Sequence, residues 1–189
     1  MKTAGLILTG GASSRMGHDK AELRWGGVRA VDRLASLARA AGCVPVCSVG
    51  VQSYGLTFIP DLEPGGGPVA GVVAGLRALA QMGGDRALIL AVDAATLSLP
   101  DIEPLLTAPL PGAVFEGLPL PMVIGISALP AEAGAGWPLR RLVERAGLAV
   151  LRPDPGALVR LRGANTPEER AALLGELGED GLDECPTAD

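Results

Sequence analysis

The sequence predicts an α/β fold, a single Rossmann-like domain of three layers in which helices flank a mostly parallel, mixed sheet. Three observations indicate this fold. Short apolar runs of strand length alternate with longer helical patterns along the chain. The run from Ala87 to Val92 is continuously apolar, as expected for a central strand that is covered on both faces. A chain of 189 residues that is 48% hydrophobic is long and apolar enough for one buried core, and no repeat or linker divides it.

The elements of the first half are each bounded by turn residues. Apolar residues spaced three and four apart predict helices, which end at Gly42 and Gly83, whereas short apolar runs predict strands. The predicted order is a strand at Ala4–Thr9, a helix at Val28–Ala41, strands at Cys43–Val49 and Thr57–Ile59, a helix at Val69–Met82 and the strand at Ala87–Val92.

The second half follows the same rules with shorter elements. Pro100 suits the first turn of a helix, and Thr166 with Glu169 three residues later forms a capping box before the last one. The predicted order is a helix at Leu99–Leu106, strands at Gly112–Phe115 and Met122–Ser127, a helix at Trp137–Ala146, strands at Leu148–Leu151 and Ala157–Leu161, and a helix at Pro167–Leu177. The domain is therefore expected over residues 1–177. Residues 178–189 hold five acidic residues and no basic one, which predicts a disordered acidic tail.

Composition excludes several classes of protein. A net charge of -5 and a pI near 4.9 argue against a nucleic-acid binder. No apolar stretch approaches the roughly 18 residues of a membrane span, and no cleavable signal pattern is present, so we expect a cytoplasmic protein. Cys43, Cys47 and Cys185 have no metal-ligand spacing, and we expect the first two to be buried thiols. His18 is the only histidine, which argues against a histidine-based metal cluster or catalytic triad.

The segment after the first strand, LTGGASSRMGHDK from Leu8 to Lys20, has the chemistry of a phosphate-binding loop. Gly10 and Gly11 lack Cβ atoms, so their backbone N–H groups can approach an anion. Arg15 and Lys20 add positive charge, the first as a planar fork and the second as a point charge. The alternative is a glycine-rich turn with solvated charges. Neither the Walker pattern nor the dinucleotide pattern is present.

Two further loops leave the predicted carboxyl ends of strands, where ligands bind in open parallel sheets. In the first, the glycines of 65–67 precede Pro68 and leave helix N-terminal amides exposed, although a plain loop explains the same residues. In the second, Asp93 follows the continuous apolar strand. A carboxylate at this position suits Mg2+, which prefers oxygen ligands; the alternative is a helix cap or turn aspartate.

The first segment resembles the N-terminal signature of molybdenum cofactor guanylyltransferases, roughly LAGGxSxRMGxDK, with Thr9 in place of the usual alanine. In that family the loop wraps the triphosphate and base of a nucleotide. The resemblance therefore implies nucleotide contacts and phosphate-binding cations in this loop. The implied residues are Leu8, Gly10, Gly11, Ser13, Arg15 and Lys20.

The resemblance continues at two later places. The family segment D-x-x-x-x-x-GPLAG matches Asp61 and residues 67–71, which implies that Asp61, Gly67, Pro68 and Gly71 lie beside the base and ribose. The family places its metal-binding aspartate where this chain has Asp93, although the usual proline after it is missing.

Nearer the C-terminus the match is partial. The family segment N-x-NTPED implies an acceptor-side and metal-facing role for Asn165, which helix capping also explains. Gly163 stands where the family has its first asparagine. The segment Gly117 to Gly125 lacks the ionisable side chains with which the family faces its acceptor.

The resemblance implies a nucleotidyltransferase in which Arg15, Lys20 and Asp93 are the catalytic residues and Asp93 holds Mg2+. The paired LTGG and GPVAG segments are of the guanine type, so the expected substrates are GTP and a phosphorylated acceptor, molybdopterin. Alternatives are a related transferase that uses CTP or a sugar phosphate, and a non-catalytic nucleotide-binding protein on the same scaffold. We expect a monomer or a weak homo-oligomer with no nucleic-acid or membrane partner.

Overall fold

The computed structural model describes residues 1–10, 19–61, 63–164 and 166–177. Its strands are β1 (Thr3–Leu8), β2 (Arg24–Trp25), β3 (Val28–Arg29), β4 (Val46–Gly50), β5 (Thr57–Pro60), β6 (Arg86–Ala91), β7 (Gly112–Phe115), β8 (Leu118–Gly125) and β9 (Ala149–Leu151). Its helices are α1 (Ala30–Ala40), α2 (Pro68–Gln81), α3 (Leu99–Thr107), α4 (Leu139–Ala146), α5 (Leu158–Leu161) and α6 (Pro167–Leu177).

Within these ranges seven strands form one mixed sheet in the order β5-β4-β1-β6-β8-β7-β9, in which β8 alone runs against its neighbours. Side chains alternate between the faces of each strand, so that Ile7 packs into one apolar layer and Leu6 into the other. Helices α1 and α3 cover the first face, and α2 and α4 cover the second. The predicted three-layer α/β fold is confirmed.

The order of the strands creates a crevice at one edge of the sheet. β4 and then β5 are added on one side of β1. The next strand of this sheet, β6, lies on the other side of β1. Leu8 at the end of β1 pairs with Val49 of β4 and with Ala91 of β6. The carboxyl ends of these three parallel strands therefore lie side by side, and the reversal of strand order at β1 leaves a crevice there.

Gly50, the last residue of β4, allows the chain to leave β1 at this edge. Its φ of +155° is rarely adopted by other residues. A Cβ atom at this position would lie 2.5 Å from Thr9 Oγ1 and 2.9 Å from the Gly10 backbone nitrogen. The glycine thus lets residues 9 and 10 pass directly over the end of β4.

Several predicted elements differ in extent. β4 begins at Val46 rather than Cys43, because Pro45 has no N–H to donate to the ladder. β8 begins at Leu118 and ends at Gly125, before a 3₁₀ turn at Ile126–Ala128. The sequence did not predict the short hairpin of β2 and β3, whose turn is formed by Gly26 and Gly27 at positive φ.

The predicted strand at Ala157–Leu161 is wrong. Asp154 accepts a hydrogen bond from the Gly156 N–H (2.7 Å) and so caps a 3₁₀ turn at Pro155–Ala157, which continues directly into α5. A mostly apolar run of this length is compatible with a strand or a helix. Here the cap at Asp154 starts a helical turn, and the chain continues as a helix.

Other expectations of the sequence are met. The Glu169 N–H donates to Thr166 Oγ1 (3.2 Å), which is one of the two hydrogen bonds of the capping box predicted at the start of α6. Cys43 and Cys47 are buried thiols without a disulfide, and burial raises the pKa of Cys43 to about 11. Cys185 and the predicted acidic tail lie outside the described residues. In the described part of the chain no helix is long and apolar enough to cross a membrane.

Candidate active site

A cavity of about 320 Å3 opens in the crevice at the carboxyl ends of β1 and β6. Its walls come from the ends of both strands, from the 3₁₀ turn at Lys20–Glu22, and from the starts of α2 and α4. The lining residues are Leu8, Thr9, Gly10, Lys20, Pro68, Ala91, Val92, Asp93, Leu120 and Leu139.

This cavity brings together predicted residues that lie far apart in the sequence. Leu8, Gly10, Lys20, Pro68 and Asp93, each a predicted site residue, all line it. The remaining predicted residues of the first loop and of the last segment lie outside the described residues; they are Gly11, Ser13, Arg15 and Asn165. His18 lies outside them as well.

Asp93 is a partly buried carboxylate just beyond β6. Burial raises the pKa of this carboxyl, and the positive charge of Lys20 offsets part of the rise. The two side chains therefore interact electrostatically within the site.

Asp93 does not cap the helix that follows it. The N-cap of α3 is Ser98, whose backbone N–H and hydroxyl both donate to the Asp101 carboxylate (2.8 and 2.7 Å). The helix-cap alternative for Asp93 is thus removed, whereas the residue does lie in a turn, from which it lines the cavity.

Gly163, which lies much later in the sequence, packs against Asp93. The Ala164 N–H donates to the Asp93 carbonyl oxygen (3.0 Å). A Cβ atom at Gly163 would lie 3.0 Å from Asp93 Cγ and 3.3 Å from each carboxylate oxygen. A contact of this kind is tighter than side chains normally make, so the missing side chain lets Gly163 pack directly on the carboxylate.

Two arginines that the sequence did not single out hold the loop after Asp93. The buried Arg33 of α1 donates through Nε to the Ala95 carbonyl oxygen (3.0 Å). Arg160 of α5 binds the Asp101 carboxylate through Nε and Nη2 (2.8 and 2.7 Å), and its own carbonyl oxygen accepts from Thr96 Oγ1 (3.0 Å). No local pattern could have identified them, because their partners are 59 to 64 residues away.

Lys20 enters the cavity from the 3₁₀ turn at Lys20–Glu22. Asp19 caps this turn by accepting the Ala21 N–H on Oδ1 (3.0 Å). The two neighbouring residues therefore have different roles. The Asp19 carboxylate caps the turn, and Lys20 lines the cavity.

The second predicted loop borders the cavity with only one lining residue, Pro68. Asp61 lies beside the first loop, because a Cβ atom at Gly10 would be 3.6 Å from Asp61 Oδ2. Gly67 is the N-cap of α2 at a φ of +83°. Gly71 is buried on α2, where a Cβ atom would lie 3.5 Å from the Leu8 side chain, an ordinary contact distance.

One wall of the cavity is apolar. Leu120 of β8 and Leu139 of α4 contribute to it together with Pro68. The neighbouring residues Leu118 and Pro119 line a second, shallow cavity of about 440 Å3. Of the uncharged segment Gly117 to Gly125, Leu120 lines the cavity at the candidate site, and it does so with an apolar side chain.

Asp93 fits a magnesium ion better than a metal that needs a closed cage of side chains. Among the residues that the structure describes, no three His, Cys, Asp or Glu side chains are grouped as a metal cluster requires. Magnesium usually takes one or two protein carboxylates, with phosphates and water as its other ligands. A single carboxylate beside a lysine is consistent with that pattern.

Comparisons with known proteins find a matching family model and similar relatives. The model of the MobA-like NTP transferase domain matches residues 5–125. A molybdenum cofactor guanylyltransferase of Xanthomonas euvesicatoria is 29% identical over 191 residues, covering 91% of this chain and 94% of the relative. A probable molybdenum cofactor guanylyltransferase of Opitutus terrae is 40% identical over 95 residues, covering 48% of this chain and only 47% of the relative's length.

The fold is also found in solved structures. A nucleotidyl transferase from Methanothermobacter superposes with a TM-score of 0.72 at 17% identity, over 93% of this chain and 97% of that one. At this level of identity the likeness concerns the fold, and it includes nearly the whole chain.

Proposed function

The chain belongs to the MobA-like NTP transferase domain family, and from this premise we propose that it transfers GMP from GTP to molybdopterin and releases pyrophosphate. The observation that supports the proposal is the cavity at the carboxyl ends of β1 and β6, where the strand order reverses. The end of the glycine loop, Lys20 and Asp93 all border it. The names of the relatives in Xanthomonas and Opitutus support the choice of guanine nucleotide and of acceptor.

The proposed reaction is an in-line displacement at the α-phosphorus of GTP. An oxygen of the acceptor phosphate forms a bond to that phosphorus, and the bond to the bridging oxygen breaks, so pyrophosphate leaves with the electron pair. A phosphate monoester is already ionised near pH 7, so no side chain has to remove a proton. The protein's task is to position the two substrates and to stabilise negative charge.

The residues of the cavity have distinct roles in this proposal. The Lys20 ammonium group binds the departing β- and γ-phosphates. Gly10 lets the backbone approach the phosphate chain closely, because it has no side chain. Asp93 would hold Mg2+, which when bound supplies positive charge to phosphate oxygens. Arg15, a proposed second phosphate ligand, completes the set.

We expect GTP to bind more tightly than CTP, UTP or ATP, and Mg2+ to strengthen the binding. The expectation rests on the resemblance of the paired LTGG and GPVAG segments to those of the guanine type. Isothermal titration calorimetry with each nucleotide, with and without Mg2+, measures both effects. A preference for CTP, or no binding at millimolar concentration, contradicts the proposal.

A turnover assay tests the second substrate. Pyrophosphate release should require GTP and molybdopterin together, and a sugar phosphate should not replace molybdopterin. Tight GTP binding without turnover would instead favour a non-catalytic nucleotide-binding protein.

We expect Gly163→Ala to lower Mg2+-dependent turnover by about tenfold. The added methyl group must displace the Asp93 carboxylate, and overpacking of this kind costs about 1–3 kcal/mol of stability. Titration of turnover with Mg2+, together with thermal unfolding, measures the two effects. Gly175→Ala in α6 is the matched control, since a Cβ atom there meets nothing within 4 Å. Equal turnover in both variants would show that the close contact is unimportant.

A further inference from the structure

The Asp19 carboxylate is held from outside its own turn by a tyrosine. While Oδ1 caps the turn, Oδ2 accepts the Tyr54 hydroxyl (2.6 Å) and the Gln52 Nε2–H (3.2 Å). A hydrogen bond from a hydroxyl to a carboxylate at this distance is of the short, charge-assisted kind. The strongest link between the turn and the rest of the protein at this end is therefore the Tyr54 hydroxyl.

Tyr54 is protonated and correctly placed for this bond. Burial, and then the bond to Asp19, raise the pKa of Tyr54 to about 12, so at neutral pH the phenol is a donor. The phenol therefore donates to the carboxylate that caps the turn carrying Lys20.

The backbone around Tyr54 keeps the ring in this position. Tyr54 has a φ of +53°, in the left-handed region that non-glycine residues seldom adopt. The preceding loop is tied to β4, because the Ser48 hydroxyl lies 3.3 and 3.0 Å from the carbonyl oxygens of Gln52 and Ser53. An uncommon conformation of this kind persists where the surrounding contacts determine it, and such residues cluster at functional sites.

The other end of the turn is attached to the same loop. Arg29 Nη1 donates to the Glu22 carboxylate (3.1 Å), and its Nη2 reaches the Tyr54 carbonyl oxygen (3.5 Å). Asp32 fixes the guanidinium through two further bonds of 2.6 and 2.9 Å. The turn at Lys20–Glu22 is therefore held at both ends by groups that meet at Tyr54.

We propose that Tyr54 is a positioning residue for Lys20: its hydroxyl holds the Asp19 carboxylate, and with it the turn that presents Lys20 to the triphosphate. The ring does not line the cavity, so it acts through Lys20. This inference rests on the proposed function, in which Lys20 binds the departing phosphates. Preorganising a cation in this way saves the free energy that ordering it at each binding event would require.

The test is Tyr54→Phe, which keeps the ring and removes only the hydroxyl. We expect GTP binding to weaken by about tenfold, since a hydrogen bond to a charged group is lost. Ser53→Ala is the matched control, because it removes a hydroxyl of the same loop that does not touch Asp19, and it should leave GTP binding unchanged. In a Lys20→Ala background, Tyr54→Phe should cause no further loss.

A second measurement is independent of the nucleotide. The Ala21 amide is buried and bonded to Asp19, so its hydrogen exchange should become faster in Tyr54→Phe and stay unchanged in Ser53→Ala. Unchanged exchange at Ala21 overturns the inference. Equal losses of GTP binding in the wild-type and Lys20→Ala backgrounds overturn it too. If the wild-type protein binds no GTP, the proposed function fails, and the exchange measurement still decides whether Tyr54 orders the turn.

Discussion

Asp93→Asn should abolish Mg2+-dependent turnover while leaving metal-free GTP binding nearly unchanged. The substitution keeps the shape of the side chain and removes the negative charge that Mg2+ requires of its ligand. Asp93 does not cap α3, whose cap is Ser98, so the substitution leaves the cap of α3 intact. Steady-state turnover over a range of Mg2+ concentrations, with calorimetry of GTP binding, measures the two effects separately.

The same variant should be at least as stable as the wild type. Burial raises the pKa of Asp93, so between the unfolded and folded pKa values the native state binds more protons than the unfolded state. The wild type therefore loses stability as pH rises through this interval, and the asparagine variant does not. Denaturant unfolding at several pH values measures this difference. The free energy of unfolding of the variant, relative to that of the wild type, should increase as the pH rises towards neutral.

Asp85→Asn is the matched control. Asp85 precedes β6 at the opposite end of the strand, where its carboxylate accepts the Lys2 backbone N–H (2.6 Å). We expect this control to keep full turnover. Full activity of Asp93→Asn at saturating Mg2+ would refute the metal assignment and favour the non-catalytic alternative.

Lys20→Ala should lower both the affinity for GTP and the turnover, the latter by about a hundredfold, as expected for the loss of one preorganised charge at a site of developing negative charge. The fold should remain intact, since a partly exposed residue in a short turn contributes little to stability. Measured Kd and kcat, with a thermal melt of each variant, test this expectation.

Lys2→Ala is the control for Lys20→Ala, because Lys2 is the chain's only other lysine and lies outside the cavity. Small and equal effects of the two substitutions would mean that Lys20 is merely a solvated charge. A large effect at Lys20 that CTP binding shares with GTP binding would assign it to the phosphates rather than to the base.

The strongly periodic parts of the sequence predicted their structure well. β1 and β6 are short and mostly apolar, and α2 begins at a proline and ends before a glycine pair, so the sequence marks the position of each element. The strand prediction for Ala157–Leu161 failed because a segment of five residues is too short to show whether its apolar residues follow a helical or a strand period. The Asp154 cap upstream decided its conformation.

The sequence by itself predicted the chemistry of the site: a glycine loop with two cations, a carboxylate after a buried strand, and a partial match near the C-terminus. Only the tertiary structure decided which of the described residues meet. Gly163 packs on the Asp93 carboxylate, and Tyr54 holds Asp19 across 35 residues of sequence. The physical reason is that a sequence pattern reports on residues that are close in the sequence, either as direct neighbours or at the spacing of a helix or a strand. Contacts between distant segments follow instead from the order of the strands and from the volume that each side chain leaves free.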